Sequence, residues 1–283
     1  MGNLKSKQLS IEIFPPHNME ETHEILQYFR DHHDFAPSYI AVTNGAGGSE
    51  NNQPLEFAQT IQTELNIPVM MHVTSLYQDY DSITALIDQL HHYQISRLLI
   101  LRGDLNANVP TNVTFPHASD LIKYLKQHTD FELAGACYPE KHPEASTLTA
   151  DINNLKIKIA NGASQLVTQI VFDNQKYYHF TDQLEKLGVT TPVEVGIMPC
   201  TNLDQIDKIT QLTKRPLPDN LIEQLQQVQD DSQKMFNVGI NYAIAQIKDL
   251  LAHGVTKIHL YPMNNPDVIE QIRIKTASLF ANN

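Results

Sequence analysis

Ser10-Ile11-Glu12-Ile13-Phe14-Pro15-Pro16 is a short, mostly apolar run that carries a carboxylate near its end and is stopped by two prolines. Proline has no N–H and a fixed φ, so the pair ends a strand and shapes the loop leaving it. The same plan recurs along the chain. Thr43 closes YIAVT, His72 closes PVMMH, Arg102-Gly103-Asp104 follows RLLIL, and Tyr138 closes LAGACY. Gln169 follows QLVT, PVEVGIMP leads into Cys200-Thr201-Asn202, and Tyr261 closes KIHLY. Nearly every run thus delivers a chemically able side chain at its carboxyl end. A closed parallel barrel gathers those ends on one face, where active sites are built. Residues hundreds of positions apart would then line a single bowl.

Helical stretches separate these runs, the alternation of a parallel α/β fold. Asn18 can cap a first helix carrying Ile25, Leu26 and Phe29. Later strands read at 38–43, 68–73, 97–102, 131–138, 165–171, 192–198 and 256–261. Helices read near 54–65, 79–93, 118–128, 147–161, 174–187, 203–213 and 266–281. An extra helical section, 218–253, precedes the last strand. No linker, repeat or low-complexity stretch interrupts the 283 residues. The expectation is therefore one (β/α)8 TIM barrel over residues 1–283, with extra helices between strands 7 and 8. An open doubly wound sheet is the alternative, which the regular alternation disfavours.

Composition narrows the function. Hydrophobic residues make up 41% of the chain, enough for a sizeable core. Lys and Arg total 20 against 32 Asp and Glu, a formal charge of −12. That balance disfavours nucleic acid or an anionic membrane as partner. An anionic small ligand stays open, because the field near a ligand is set by local groups. Cys137 and Cys200 cannot make a disulfide framework and read as buried, reduced thiols. The segment MGNLKSKQLS lacks the apolar core of a signal peptide. No run reaches the ~18 apolar residues of a membrane span, so a cytoplasmic location is expected.

Some polar features read as structural. His32-His33 and His91-His92 fall at helix C-termini, where positive charge meets the dipole favourably, and neither pair has metal-ligand spacing. Asn44-Gly45-Ala46-Gly47-Gly48 matches neither a dinucleotide fingerprint nor a phosphate loop, and glycines there serve first to turn the chain. Gln226 to Gln233 reads as a solvated helix junction.

Other residues carry chemistry. Glu12, facing a barrel mouth among apolar neighbours, would be desolvated, which favours the protonated carboxyl and suits a proton donor; a salt-bridged barrel carboxylate is the alternative. In Arg102-Gly103-Asp104 the Arg can hold an anion, the Gly admits a ligand to the backbone, and the Asp can accept from a heterocycle. An Asp-capped loop would look the same. In Tyr138-Pro139-Glu140-Lys141-His142-Pro143-Glu144-Ala145, two X-Pro steps enforce an extended path and fix Tyr138 and His142 over the bowl. Asp151, Asn154 and Lys158 then fall at i, i+3 and i+7 on one helical stripe. The stripe reads as solvated surface by itself, and as a ribose and phosphate clamp beside the Tyr/His segment.

FPP after a strand-one Glu, VTNGAGG, MHVTS, LLILRGD, YPEKHPEA, DINNLKIKIANGA, VTQIVFD, GIMP and HLYPMN occur in that order. Together, over about residues 10 to 265, they resemble the 5,10-methylenetetrahydrofolate reductases. The resemblance implies a TIM barrel that binds FAD noncovalently and takes hydride from NADH or NADPH. It implies reduction of 5,10-methylenetetrahydrofolate to 5-methyltetrahydrofolate by a ping-pong sequence, supplying methyl groups for methionine synthesis. Glu12 matches the family's general acid and Asp104 the Asp near flavin and pterin. Thr43, Asn44, Ala46, His72, Arg102, Gly103, Tyr138, His142, Ala145, Asp151, Asn154 and Lys158 fall on FAD-contact positions. Gln169 matches the side chain contacting pterin or nicotinamide, and Tyr261 a Tyr on the folate side.

The chain also departs from the family's pattern. His117, before Ala118, stands where a Tyr commonly contacts FAD, and Ile157 replaces a basic residue beside Lys158. Leu203 stands where an aromatic often covers the substrate, and Asn265 where an Arg often meets folate. The expected partners are NADH or NADPH, methylenetetrahydrofolate and further copies of the chain in a homo-oligomer, with no metal. Two other classes stand beside this reading: a different flavin- or metal-dependent barrel enzyme, and a noncatalytic folate- or flavin-binding regulatory barrel.

Overall fold

Short Val-, Ile- and Leu-rich runs form strands when both faces can be buried, and this chain buries both by closing its sheet. A computed structural model describes residues 6–16, 18–43, 53–105, 114–203, 206, 210 and 216–280. Its strands are β1 (Gln8–Ile13), β2 (Ile40–Val42), β3 (Val69–Thr74), β4 (Arg97–Leu101), β5 (Glu132–Cys137), β6 (Gln165–Thr168), β7 (Val193–Ile197) and β8 (Lys257–Leu260). They pair in parallel in chain order, and β1 joins β8 to complete the barrel.

Alternation within each strand makes two cores. Outward residues such as Leu9, Ile11, Ile13, Val69, Met71, Leu98, Ile100, Val195 and Ile258 pack under the helices. The helices are α1 (Met19–Asp31), α2 (Gln53–Leu65), α3 (Tyr80–His92), α4 (Ala118–His128), α5 (Leu148–Ala160) and α6 (Asn174–Lys186), followed by α7 (Asp219–Gln226), α8 (Ser232–Ala252) and α9 (Pro266–Phe280). Each turns an apolar stripe inward, for example Ile25, Leu26 and Phe29 on α1. A separate inner cluster of Tyr39, Ala41, Met70, Leu99, Ala134 and Val167 fills the barrel.

The expected single barrel with extra helices before the last strand is what forms. Its boundaries shift slightly. β2 is shorter than 38–43, although Ser38 N still donates to Leu9 O at 2.8 Å. β6 ends at Thr168, although Gln169 N still donates to Cys137 O at 2.9 Å and Val171 N to Gly196 O at 2.8 Å. The helical section expected at 218–253 breaks into α7 and α8 within the polar junction, where Asp231 Oδ1 accepts from Lys234 N at 3.0 Å and caps α8. The helix expected at 203–213 lies mostly outside the described residues. Asn18 caps α1 by accepting from Glu21 N at 2.9 Å, His32 sits at that helix's C-cap, and His91-His92 close α3. Both cysteines are free and buried, and burial pushes the Cys200 thiol up to about 12. No described helix is long and apolar enough to cross a membrane.

Candidate active site

Ser10 and Glu12, two apart on β1, share its inner face. His259 from the adjacent β8, Tyr39 just before β2, His72 from β3, Gln165 from β6 and Glu194 from β7 converge in the same interior. Glu12 lies at the bottom of the bowl, its side chain 12% exposed. One of its oxygens, Oε2, faces two imidazoles: His72 Nε2 at 3.5 Å and His259 Nε2 at 3.6 Å. Neither ring nitrogen has a hydrogen-bond partner, and both are buried. Orphaned buried nitrogens are costly, so these two contacts to one carboxyl oxygen are the natural place for their hydrogen bonds to form. Burial holds His72 below the ordinary histidine range, with Glu12 partly opposing and His259 adding to the shift. His72 is therefore a neutral ring near pH 7.

Below Glu12 the polar contacts continue down the barrel. His259 Nδ1 lies 2.6 Å from Ser10 Oγ, and Ser10 donates to Glu194 Oε1. Tyr39 OH and Gln165 Nε2 donate to Glu194 Oε2 at 2.9 and 2.6 Å. Lys257 Nζ donates to Gln165 Oε1 at 2.8 Å. Sequence reasoning missed Ser10, Tyr39, Gln165, Glu194 and His259. The signal was present in period-two spacing: Ser10 with Glu12, and His259 with Tyr261, must share faces of their strands.

Tyr261 walls this floor. Its hydroxyl donates to Thr168 O at 2.9 Å, and its ring meets His259 edge-on at 4.9 Å between centroids. The ring lies against Gly196, where an added Cβ would overlap the ring and sit 2.9 Å from Thr168 O. Tyr261 thus contributes a ring edge to the bowl, with its hydroxyl already engaged.

The rim is built differently. Arg102, directly after β4, holds Glu144 by a two-point pair, with Nη1 at 2.5 Å and Nη2 at 2.9 Å from the carboxylate oxygens. Gly103 adopts φ +88°, a left-handed conformation, beside Thr74. The next residue, Asp104, is exposed, and its backbone O accepts from Tyr77 OH at 2.9 Å. Tyr138 and His142 meet edge to face at 4.7 Å. Asp151, buried at the start of α5, accepts from His142 N at 2.8 Å and so ties the helix to that loop. The segment does not take the extended path expected of its prolines. Lys141 N donates to Tyr138 O and Ala145 N to His142 O, both at 3.0 Å, closing two turns. Lys141 sits at φ +89°, and its Nζ donates to Ala145 O at 2.6 Å. Lys158 reaches from α5 over Gly135 of β5 to donate to Ala136 O at 2.8 Å, and burial holds its ammonium below the ordinary lysine range. Asn154, one turn earlier, is exposed.

The other expected site residues divide. Thr43, buried just past β2, and His72 on β3 reach the same end of the barrel. Gln169 follows β6, where its Oε1 accepts from Ile170 N at 2.9 Å. His117 caps the start of α4 with its side chain 71% exposed, near Asp120 at 3.3 Å, while Ala118 is buried behind it. Asn265 caps α9: its Oδ1 accepts from Asp267 N at 2.9 Å and Val268 N at 3.3 Å, so that acceptor is already used. Leu203 is 40% exposed and borders an apolar hollow with Ile206, Leu217, Ile222 and Leu225. Asn44 and Ala46 lie outside the described residues.

Comparison with known proteins bears on this arrangement. The family model described as Methylenetetrahydrofolate reductase matches residues 2–277. The chain is 29% identical over 262 residues to the 5,10-methylenetetrahydrofolate reductase of Escherichia coli (strain K12), covering 92% of this chain and 87% of that protein. It is 31% identical over 276 residues to the protein of that name from Buchnera aphidicola subsp. Schizaphis graminum, covering 96% and 93%. A protein named methylenetetrahydrofolate reductase (NADH) 1 from Arabidopsis thaliana is 28% identical over 270 residues, which cover 90% of this chain and 46% of the plant protein. Among solved structures, a Clostridium thermocellum protein described as binding two copies of 5-methyl-5,6,7,8-tetrahydrofolic acid superposes with a TM-score of 0.71 at 16% identity, covering 98% of this chain and 96% of that one. That likeness shows a shared fold.

Proposed function

The chain belongs to the methylenetetrahydrofolate reductase family, a family of oxidoreductases, and from that membership we propose how its bowl works. The reaction is reduction of 5,10-methylenetetrahydrofolate to 5-methyltetrahydrofolate, with FAD as the resident cofactor and NADH or NADPH as the donor. Bound flavin would supply the hydride relay, first from nicotinamide and then to the folate's methylene carbon, with the two substrates alternating on one face. The product is a methyl donor of the kind methionine synthesis consumes.

The residues at the rim suit such a cofactor. Gly103 offers backbone where a Cβ would press on Thr74 at 3.2 Å, and Asp104 stands exposed beside it. Tyr138 and His142 present ring edges, and Asp151 fixes the loop that carries them. Lys158 and Arg102 are the cations for a diphosphate. Arg102 is held by Glu144, whose side chain is 58% exposed, so that carboxylate can turn to water when another anion arrives. Thr43, His72, Asn154 and Ala145 complete the set by position, and Gln169 addresses whichever ring is stacked.

Glu12 is the proton donor in this reading. The methylene bridge is a closed aminal, and protonating one of its nitrogens opens it to an electrophilic iminium that can accept hydride. One observation carries the assignment: the Glu12 carboxyl is at the base of the bowl, nearly buried, and faced by two imidazoles with unpartnered nitrogens. A carboxyl so placed can hold a proton away from water and release it to a ligand above. The test is spectroscopic. The purified protein should be yellow, release FAD rather than FMN on denaturation, bleach with NADH or NADPH, and recolour with methylenetetrahydrofolate. A colourless protein that takes up no added FAD would remove the reading.

A further inference from the structure

Glu194 is a second carboxylate inside the barrel, 1% exposed and one layer beneath Glu12. Its contacts have a fixed direction. Lys257 can only donate, and it donates to Gln165 Oε1, so the Gln165 amide must turn its NH2 to Glu194. Burial and the Glu194 charge hold the Tyr39 phenol well above the ordinary tyrosine range, so it too remains an O–H donor. Ser10 has a single hydrogen and two close partners, the Glu194 carboxylate and His259 Nδ1. The acceptor-only carboxylate claims it, because giving it to His259 would leave lone pairs of Ser10 Oγ and Glu194 Oε1 facing each other. Three donors on two oxygens suit an acceptor-only carboxylate. Lys257 through Gln165, and Arg97 lying 5.4 Å above the Tyr39 ring, offset its charge.

With its hydrogen committed, Ser10 Oγ can only accept from His259 Nδ1, 2.6 Å away. His259 therefore carries its N–H on Nδ1. Its Nε2 is left as a bare lone pair, buried and aimed at Glu12 Oε2 across 3.6 Å. A lone pair facing a carboxyl is satisfied only if that carboxyl brings the hydrogen. His72, the other ring on the same oxygen, is kept neutral by burial and can meet it with an Nε2–H.

We propose that Glu194 is a positioning residue for Glu12: acting through Ser10, it fixes His259 in the Nδ1–H tautomer and thereby keeps a proton on the Glu12 carboxyl until the folate takes it. The inference rests on the reading of Glu12 as proton donor. In the step itself the Glu12 O–H bond breaks and a folate N–H bond forms. Glu12 is left as the carboxylate, and water restores its proton before the next turnover.

The substitution Glu194→Gln tests the direction of this relay while preserving shape. Tyr39 and Gln165 both donate to one Glu194 oxygen, so the amide oxygen belongs there and the NH2 must face Ser10. Ser10 then receives a hydrogen from residue 194, turns its own toward His259 Nδ1, and the His259 N–H moves to Nε2. Ring-labelled 15N-histidine spectra of the holoenzyme distinguish the two tautomers, and the His259 signals are assigned by their loss in His259→Asn. Wild type should show Nδ1–H and Glu194→Gln should show Nε2–H. Flavin oxidation by methylenetetrahydrofolate should slow by about 10-fold or more, within the ~10⁴ reached when a catalytic histidine is held in the wrong tautomer. Flavin reduction by the nicotinamide should be near normal. Ser10→Ala, which cuts the relay while leaving residue 194 a carboxylate that keeps its Tyr39 and Gln165 donors, should lose the fixed Nδ1–H signature and slow the same half-reaction.

An Nε2–H tautomer in the wild type overturns the proposal. So does an unchanged tautomer in Glu194→Gln, or a changed tautomer with full folate rate. A wild type with the expected tautomer and its switch, but no turnover of folate, would instead sink the reading of the reaction and leave the Glu194–His259 assignment standing.

Discussion

The floor of the bowl and its rim handle charge in opposite ways. On the floor, Glu194 accepts from three buried or half-buried donors, and each partner is tied to another strand. Removing water from such groups costs several kcal/mol per ion, which only a complete set of partners offsets. Glu194 and its three donors are therefore held in place before any ligand arrives, beneath the His72 and His259 Nε2 atoms that have no hydrogen-bond partner. At the rim, Arg102 is held by an exposed carboxylate, and Asp104 and Asn154 face solvent. Exposed pairs contribute little to stability and exchange readily. A rigid floor suits placing a proton, and an exchangeable rim suits taking up a large anionic cofactor.

Glycine substitutions give the largest contrast. Gly196→Ala drives a methyl into the Tyr261 ring and against Thr168 O, in a layer where neither can yield. It should destabilise the protein by at least about 3 kcal/mol, the upper part of the range for overpacking. Gly103→Ala meets Thr74 at 3.2 Å in a left-handed conformation and should cost only about 1–2 kcal/mol. Denaturant midpoints measure both. Equal losses would erase the distinction between floor and rim.

Lys158→Ala sharpens the rim's side of the comparison. It should weaken FAD retention by roughly 10-fold, the scale of one charge-assisted hydrogen bond. Lys156→Ala, two residues away on the exposed face of the same helix, should leave retention unchanged. Equal retention in the two variants would take α5 out of the cofactor site.

The smallest effect is a pH slope from the floor. His72 binds its proton less readily folded than unfolded, because burial opposes its charge. Below the unfolded value of about 6.5 the unfolded chain takes up more protons, so stability falls as pH falls. His72→Gln should reduce the drop in denaturant midpoint between about pH 7.5 and about pH 5.5. An unchanged slope would mean that His72 is not the neutral, buried ring described above.

How much of this was legible in the sequence follows the same division. Part of the rim misled: the prolines around Tyr138 and His142 imply an extended path, whereas that segment closes two turns. Part of it was readable because its signals are local, a glycine between Arg102 and Asp104 and i, i+3, i+7 spacing on α5. Helix caps such as Asn18 were readable for the same reason. The floor was not, although Glu12 was. Glu194 meets Ser10 across 184 positions and His259 meets it across 249, so only barrel closure reveals that they touch. A single Glu in VEVGI or His in KIHLY looks like an isolated polar residue until the register pairs Gly196 with His259. Local reading also overlooked prior commitments. Asn265 is a helix cap, the Tyr261 hydroxyl serves Thr168, and Arg102 already holds Glu144.

The central claim is that the floor supplies the proton and only the folate half-reaction needs it. Glu12→Gln keeps size and hydrogen bonding but cannot deliver a proton, so stopped-flow flavin absorbance on this variant, each half-reaction recorded alone, is the direct measurement. FAD binding and bleaching by NADH or NADPH should stay near wild type, while reoxidation by methylenetetrahydrofolate should slow by ~10²-fold or more, the usual range for losing a general acid. Reoxidation at the wild-type rate, or both half-reactions falling together with FAD binding, would contradict the account.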